Sequence, residues 1–381
     1  VGRIAELDLR LSPGLNLICG PNGIGKTTIL ECIGDAFSQT SQSLVRKRVD
    51  SEKAEYVLTA QAGAQTLKLT SEVKFFDPHH EAWTQGAGDW ERWVITLKTN
   101  RAFEYLKLDA LQKDPGAADR HRRLGSTGIA FGDIKNWFVN RYLFSTHREH
   151  LTVQQIANLD LAKRSFTELD PTVSFSKVIP ASFDLMVRTP DGEIYFEYLS
   201  SGFKSCLCLV LGLIKEIEYR FRTPYVSAAD FAGVVLIDEL DLHLHPEWQP
   251  KLVHLIKKTF PKAQFIGATH SPHMIQAAAP NEIIALEANP EGRIVRRELP
   301  AGDYGFQGWT VEEILTDVMG MPDTRSTKYR ELEREFDAAL GQNNRARAEE
   351  VFSVMDRFLH PNNVQRKLFK LQLGHMEAEG A

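Results

Sequence analysis

Cysteine is scarce in this chain, and no apolar run is long enough to cross a membrane. The four cysteines, Cys19, Cys32, Cys206 and Cys208, sit in apolar stretches. They lack the spacing of a disulfide framework or a zinc site and read as small hydrophobes of a reducing compartment. No stretch approaches the ~18 apolar residues of a membrane helix, and no signal-peptide pattern is visible. Cationic excess is also lacking. With 45 Lys and Arg against 50 Asp and Glu, the net charge is −5, which excludes a polycationic nucleic-acid binder but leaves room for local patches. Such patches are Arg46-Lys47-Arg48 and Arg120-His121-Arg122-Arg123, which read first as solvated surface and second as contacts for the phosphates of DNA or another nucleic acid. Sustained heptads are missing, and with them a long coiled-coil arm. The expectation is a cytoplasmic protein with no membrane partner, large enough at 381 residues for two or three domains.

What is present is a set of four short motifs in fixed order. Gly20-Pro21-Asn22-Gly23-Ile24-Gly25-Lys26-Thr27 fits G-x-x-x-x-G-K-[ST] at every fixed position. The apolar run Leu15 to Cys19 precedes it. After it, Ile29, Leu30, Ile33 and Phe37 recur at helical spacing, so the loop lies between a strand and a helix, as a phosphate loop requires. Amides from Asn22 to Thr28 face the phosphates, helped by the positive end of the helix dipole. Lys26 is expected to reach the β and γ phosphates of ATP, and Thr27 to hold Mg²⁺.

Ala232 to Ile237 reads as a strand buried on both faces and ends in Asp238-Glu239. Carboxylates at the carboxyl end of such a strand lie where open α/β sheets bind ligands. Asp238 is the candidate Mg²⁺ partner and Glu239 the candidate base for water. Asp241, shortly after, is counted with the nucleotide contacts. Gln264 to Ala268 reads as a further short strand, followed by Thr269-His270-Ser271. His270 joins Glu239 as a catalytic candidate, because its proton equilibrium lies near physiological pH.

The remaining motif is Leu199-Ser200-Ser201-Gly202, with Lys204 close behind. It resembles the signature of ABC-type ATPases, with Ser201 where glycine is commoner and Phe203 where a polar residue is usual. Phe203, Cys206, Leu207, Val210, Leu211, Ile214 and Ile217 then form one helical stripe. The motif therefore opens a helix whose first amides can meet a phosphate.

The organisation expected is an α/β ABC-type P-loop ATPase head over residues 1–300. Its core is 1–77 and 183–287, its inserted, largely helical region is 78–180, and a helical region over 301–381 serves partner docking or oligomerisation. A hairpin is expected over Glu55–Gln61 and Thr66–Thr70, and helices over Asp133–Phe144, Thr310–Met319, Lys328–Leu340, Arg345–Phe358 and Val364–Leu373.

Together with Asp238-Glu239-Leu240-Asp241-Leu242-His243-Leu244-His245-Pro246, these motifs resemble the OLD- and RecF-related ABC-type ATPases. Ile314 to Gly320 and Lys215 to Phe221 are most similar to the PtuA family of Septu and retron-associated anti-phage systems. The resemblance implies a homodimer or higher homo-oligomer closing on ATP, with Ser200, Ser201, Gly202 and Lys204 meeting the nucleotide of the opposing subunit. It also implies ATP hydrolysis with Mg²⁺ and a separate HNH-type nuclease subunit, PtuB-like, under its control. No Asp-x-Asp strand end of a Toprim nuclease follows Pro300. The rival expectations are a RecF-like DNA repair ATPase and a nucleotide-binding scaffold with little turnover.

Overall fold

The computed structural model describes residues 1–38, 45–77, 87–97, 107–114, 133–146 and 149–378. The basic run at 120–123 lies outside them. Two compact units result, Val1–Gly320 and Met321–Ala381.

The first unit is built on a six-stranded sheet: β1 (Leu15–Cys19), β4 (Val94–Leu97), β8 (Val234–Ile237), β9 (Gln264–Ala268), β10 (Ile283–Ala288) and β11 (Ile294–Arg296), in the order β11-β10-β1-β9-β8-β4. All pairs are parallel except β10 with β11. Parallel strands are covered on both faces, which is why they read as unbroken apolar runs. The alternation along each strand sorts these residues into two cores. Leu17, Val235, Ile237 and Phe265 enter one; Ile18, Leu236, Ile266 and Ile284 enter the other.

Different helices cover the two faces. α1 (Lys26–Phe37) packs Ile29, Leu30, Ile33 and Phe37 into the second core. The first core takes α2 (Asp133–Phe144), α3 (Val153–Leu169), α4 (Ser201–Arg220), α5 (Trp248–Thr259) and α6 (Pro272–Ala277). Buried polar groups fix α4 among them. The Glu218 carboxylate accepts from Arg141 Nε at 2.6 Å, Trp137 Nε1 at 3.2 Å and Asn158 Nδ2 at 3.0 Å. A buried carboxylate with three donors in place is satisfied; one left unpaired would be costly.

The hairpin forms from β2 (Ala54–Ala62) and β3 (Gln65–Val73), antiparallel and longer than its sequence signal. The sequence-drawn domain boundaries cut across two sheets. β4, placed in the insertion, is the edge strand of the main sheet. β5 (Ser174–Val178), also placed there, forms a meander with β6 (Leu185–Thr189) and β7 (Gly192–Tyr195). The first unit likewise runs past residue 300, because Phe306, Ile314, Val318 and Met319 are buried in its core. The helix expected over Thr310–Met319 is present, capped by Thr310, with an α turn over Val311–Glu313 that runs into a π turn over Ile314–Val318.

The second unit is three helices, α7 (Thr327–Gly341), α8 (Arg345–Phe358) and α9 (Val364–Ala378). They share a core of their own around Leu332, Phe336, Val351, Met355 and Phe369. Among the described residues no helix is long and apolar enough to cross a membrane.

Candidate nucleotide site

The carboxyl ends of three adjacent parallel strands, β1, β9 and β8, carry the phosphate loop, His270 and Asp238-Glu239. Their registers align Ile18 with Ala268 and Gly267 with Ile237, so the three loops leave the sheet at one level. Thr269 N donates to Ile18 O at 3.0 Å and Leu240 N to Ala268 O at 2.8 Å, tying the three loop starts together.

Gly20 leaves β1 with φ 138°, and a Cβ there would collide with the Leu286 carbonyl of β10. Only glycine lets the loop pass so close to the neighbouring strand. Lys26 folds its ammonium back into the loop, donating to Gly20 O at 2.9 Å and Pro21 O at 3.1 Å. Burial lowers its pKa, while Asp238, Asp241 and Glu239 pull in the opposite direction. Thr27 Oγ1 donates to Asp238 Oδ1 at 3.1 Å. A hydroxyl and a carboxylate brought this close are hard oxygen donors, the type Mg²⁺ takes alongside substrate phosphates and water. The residues therefore fit the metal the motif implies.

Glu239 is half-buried and has φ 47°. A side chain other than glycine in the left-handed region is strained by roughly 1–3 kcal/mol and persists where the surroundings enforce it. Here Glu239 N donates to Asp238 Oδ1 at 3.2 Å and the next amide is held by Ala268. The turn thus presents the two successive carboxylates at the loop.

Asp241 was grouped by sequence with the nucleotide contacts. In the structure its Oδ1 accepts from Thr269 Oγ1 at 2.6 Å and His270 N at 3.0 Å, so it positions His270. From the other side, Ser271 Oγ donates to Gln249 Oε1 at 2.5 Å. The imidazole has exposed surface but is hemmed in on the loop side. Burial and the Lys26 ammonium hold it below its ordinary pKa, against the opposite pull of Asp241, Glu239 and Asp238.

The signature residues belong to the other face of the sheet. Ser200 caps α4, its hydroxyl accepting from Phe203 N at 3.3 Å, and Ser200 and Ser201 are exposed. Gly202 is buried: a Cβ there would run into the Trp248 ring, which meets Phe203 edge-on at 5.5 Å. The replacement of a polar residue by Phe203 is thus explained by packing. Lys204 Nζ donates to Glu197 O at 2.7 Å, which holds the preceding loop and gives Lys204 a local partner. Since α1 and α4 cover opposite faces of the sheet, the exposed serines and the phosphate loop start from different layers.

A cavity of about 570 Å³ opens beside the phosphate loop. It is lined by Lys26, Thr27, Thr28 and His270, and also by Arg3, Arg46, Lys47 and Phe76. Sequence reasoning missed Arg3 and Phe76 and read Arg46 and Lys47 as solvated surface, with nucleic acid as the second reading. No local pattern marks them, because what gathers them is contact between distant segments. The cysteines behave as small apolar groups: burial pushes the Cys19, Cys32, Cys206 and Cys208 thiols up to about 12.

A family model described as "AAA domain, putative AbiEii toxin, Type IV TA system" matches residues 15–275, a span that contains all four motifs. The chain is also 47% identical over 377 residues to a Septu protein PtuA of Bacillus thuringiensis, covering 98% of this chain and 95% of that one. It belongs to the PtuA family. A retron Ec83 probable ATPase of Escherichia coli is 31% identical over 159 residues, 42% of this chain and 28% of that protein. An SMC head domain from Thermotoga maritima aligns with a TM-score of 0.45 at 16% identity, over 76% of this chain and 93% of that one. The fold of this PtuA-family chain is that of a P-loop ATPase domain, a mostly parallel sheet with helices on both faces.

Proposed function

We propose that this PtuA-family protein binds and hydrolyses ATP in an anti-phage defence complex, closes head to head with a second copy around the nucleotide, and controls an HNH-type nuclease. The observation that carries this reading is the separation just described. The carboxyl ends of three central strands gather a phosphate loop, a carboxylate pair and a histidine, while the exposed Ser200 and Ser201 open a helix on one face of the sheet, opposite the helix that follows the phosphate loop. Helix amides at such an end favour a phosphate, and a second subunit would supply one. Thr27 and Asp238 would hold Mg²⁺, which would neutralise phosphate charge. Glu239 would take a proton from the attacking water, His270 would meet the γ phosphate, and Lys26 would exchange its loop carbonyls for phosphate oxygens. Membership beside Septu and retron relatives supports the defence role. The three-helix unit Met321–Ala381 is our candidate for docking the nuclease. That Arg46 and Lys47 line the cavity takes support from the DNA-repair alternative.

Ser200→Arg tests the composite site. A bulky cation at the exposed cap should abolish ATP-dependent dimerisation in analytical ultracentrifugation while leaving ATP affinity of the monomer within about twofold, since the cap is an exposed surface position. A variant that still dimerises with ATP would reduce Leu199 to Gly202 to a helix cap.

His270 gives the reading a pH signature. In the protein alone its pKa lies below 6.5. A bound triphosphate adds negative charge and raises it. Between the two values the complex holds more protons than the free protein, so binding takes up protons and affinity strengthens as pH falls through that window, until the free protein is protonated too. Calorimetry in two buffers of different ionisation enthalpy measures the uptake, and His270→Ala should remove that share of it. Equal uptake by variant and wild type would assign the proton elsewhere.

A further inference from the structure

The phosphate-binding half of the cavity is accounted for by the loop; its outer half is not. That half is built by segments far apart in sequence. Gly2 N donates to Arg46 O at 2.9 Å, and a Cβ on Gly2 would lie 3.3 Å from the Thr28 side chain. Lys47 N donates to Phe75 O at 3.0 Å, which brings the strand leaving the hairpin alongside. Arg3 Nη1 reaches back to Gly23 O of the phosphate loop at 3.3 Å. The result is a continuous wall running from Thr28 through Gly2 and Arg46 to Phe76, and it lines the same cavity as Lys26 and Thr27.

The wall has the chemistry of a stacking surface. Phe76 lines the cavity and leaves 47% of its surface exposed. The Arg46 guanidinium stands over its ring at 6.0 Å from the centroid. This is the outer limit of a cation–π contact, so the pair opens at little cost. A flat heteroaromatic ring has a use for both faces: the phenyl ring as a platform and the planar guanidinium as a cover. Its volume of about 570 Å³ lies within the roughly 300–1,000 Å³ range of small-molecule sites, so loop and wall together have room for a whole nucleotide.

We propose that Phe76 and Arg46 form the base subsite of this protein, stacking the nucleobase of the nucleoside triphosphate whose phosphates the loop takes, with Arg3 closing the edge between wall and loop. The inference rests on the reading of the loop as an ATP site and adds the residues that hold the other end of the ligand.

The experiment compares two probes on the full chain by calorimetry: ATP, which has a base, and inorganic tripolyphosphate, which has none. Phe76→Ala should weaken ATP binding by about 5- to 100-fold, the range for one lost base–aromatic stack, and leave tripolyphosphate binding unchanged. Phe76→Tyr, which keeps the ring, should retain ATP affinity. Arg46→Ala should weaken ATP more than tripolyphosphate. Equal losses for both probes in Phe76→Ala would mean that the ring only shapes the loop, and no loss for either would place the base elsewhere; both outcomes overturn the subsite. Failure of the underlying reading looks different, because wild type itself would then bind neither probe.

Discussion

Lys26→Ala is expected to weaken ATP binding by about 10²–10³-fold, the cost of removing one partner of a desolvated charge pair, at 1.4 kcal/mol per tenfold. Lys26 is buried, and its ammonium already sits among carbonyls at the mouth of the loop, 2.9 Å from Gly20 O and 3.1 Å from Pro21 O. Phosphate oxygens entering the loop would replace those neutral acceptors with charged ones, and charge-assisted bonds are roughly twice as strong. Arg3 also touches the loop, but through an exposed contact at its rim, where its charge is screened by solvent. Calorimetry measures the loss, and circular dichroism checks that the sheet is intact. Unchanged affinity in a folded variant would remove the phosphate site from this loop, and with it the basis of every nucleotide-dependent expectation above.

The parts of this site that were legible in the sequence are those written in one stretch of chain. Gly20 to Thr27 needs no distant partner to be recognised, because strand, glycine loop and helix start follow one another. The same holds for Val234–Ile237 ending in Asp238-Glu239, and for Gln264–Ala268 before His270. Their adjacency was not legible. Only the order β1-β9-β8 brings Asp238 within 3.1 Å of Thr27, across 211 residues. Asp241 shows the limit from the other side. The sequence counts it with the nucleotide contacts, and no local pattern announces that its Oδ1 also accepts from Thr269 Oγ1 and His270 N.

Domain boundaries failed for a related reason. Trp93 to Leu97 is a short apolar run, and nothing local distinguishes an edge strand from a fragment of insertion. Its place is decided by pairing with β8, 140 residues later. Residues after Pro300 carried helical spacing and were assigned outward. Burial of Phe306 and Ile314 holds them in the first unit, and Gly320, its last residue, comes to Pro21 of the phosphate loop. The base subsite is the extreme case. Arg3, Arg46 and Phe76 share no motif, and the contacts that gather them join the chain start, the stretch after α1 and the end of the hairpin.

Glu239→Gln is expected to keep ATP affinity within about twofold while slowing hydrolysis by roughly 10²–10⁴, the contribution of a positioned general base. The substitution preserves size and leaves the backbone strain at φ 47° in place, so the turn that presents residue 239 should persist. What changes is the carboxylate itself, which an amide cannot replace as a proton acceptor. Asp238 should still meet Thr27, since their contact does not pass through Glu239. Binding and chemistry are thereby separated: calorimetry reads the first and phosphate release the second. If the scaffold alternative held, wild type and variant would show the same negligible turnover. If the base were another group, the variant would turn over at the wild-type rate. A slow variant that accumulates as an ATP-bound dimer, and that loses the dimer when Ser200→Arg is added, would locate the reacting water between the carboxylate of one subunit and the helix cap of the other.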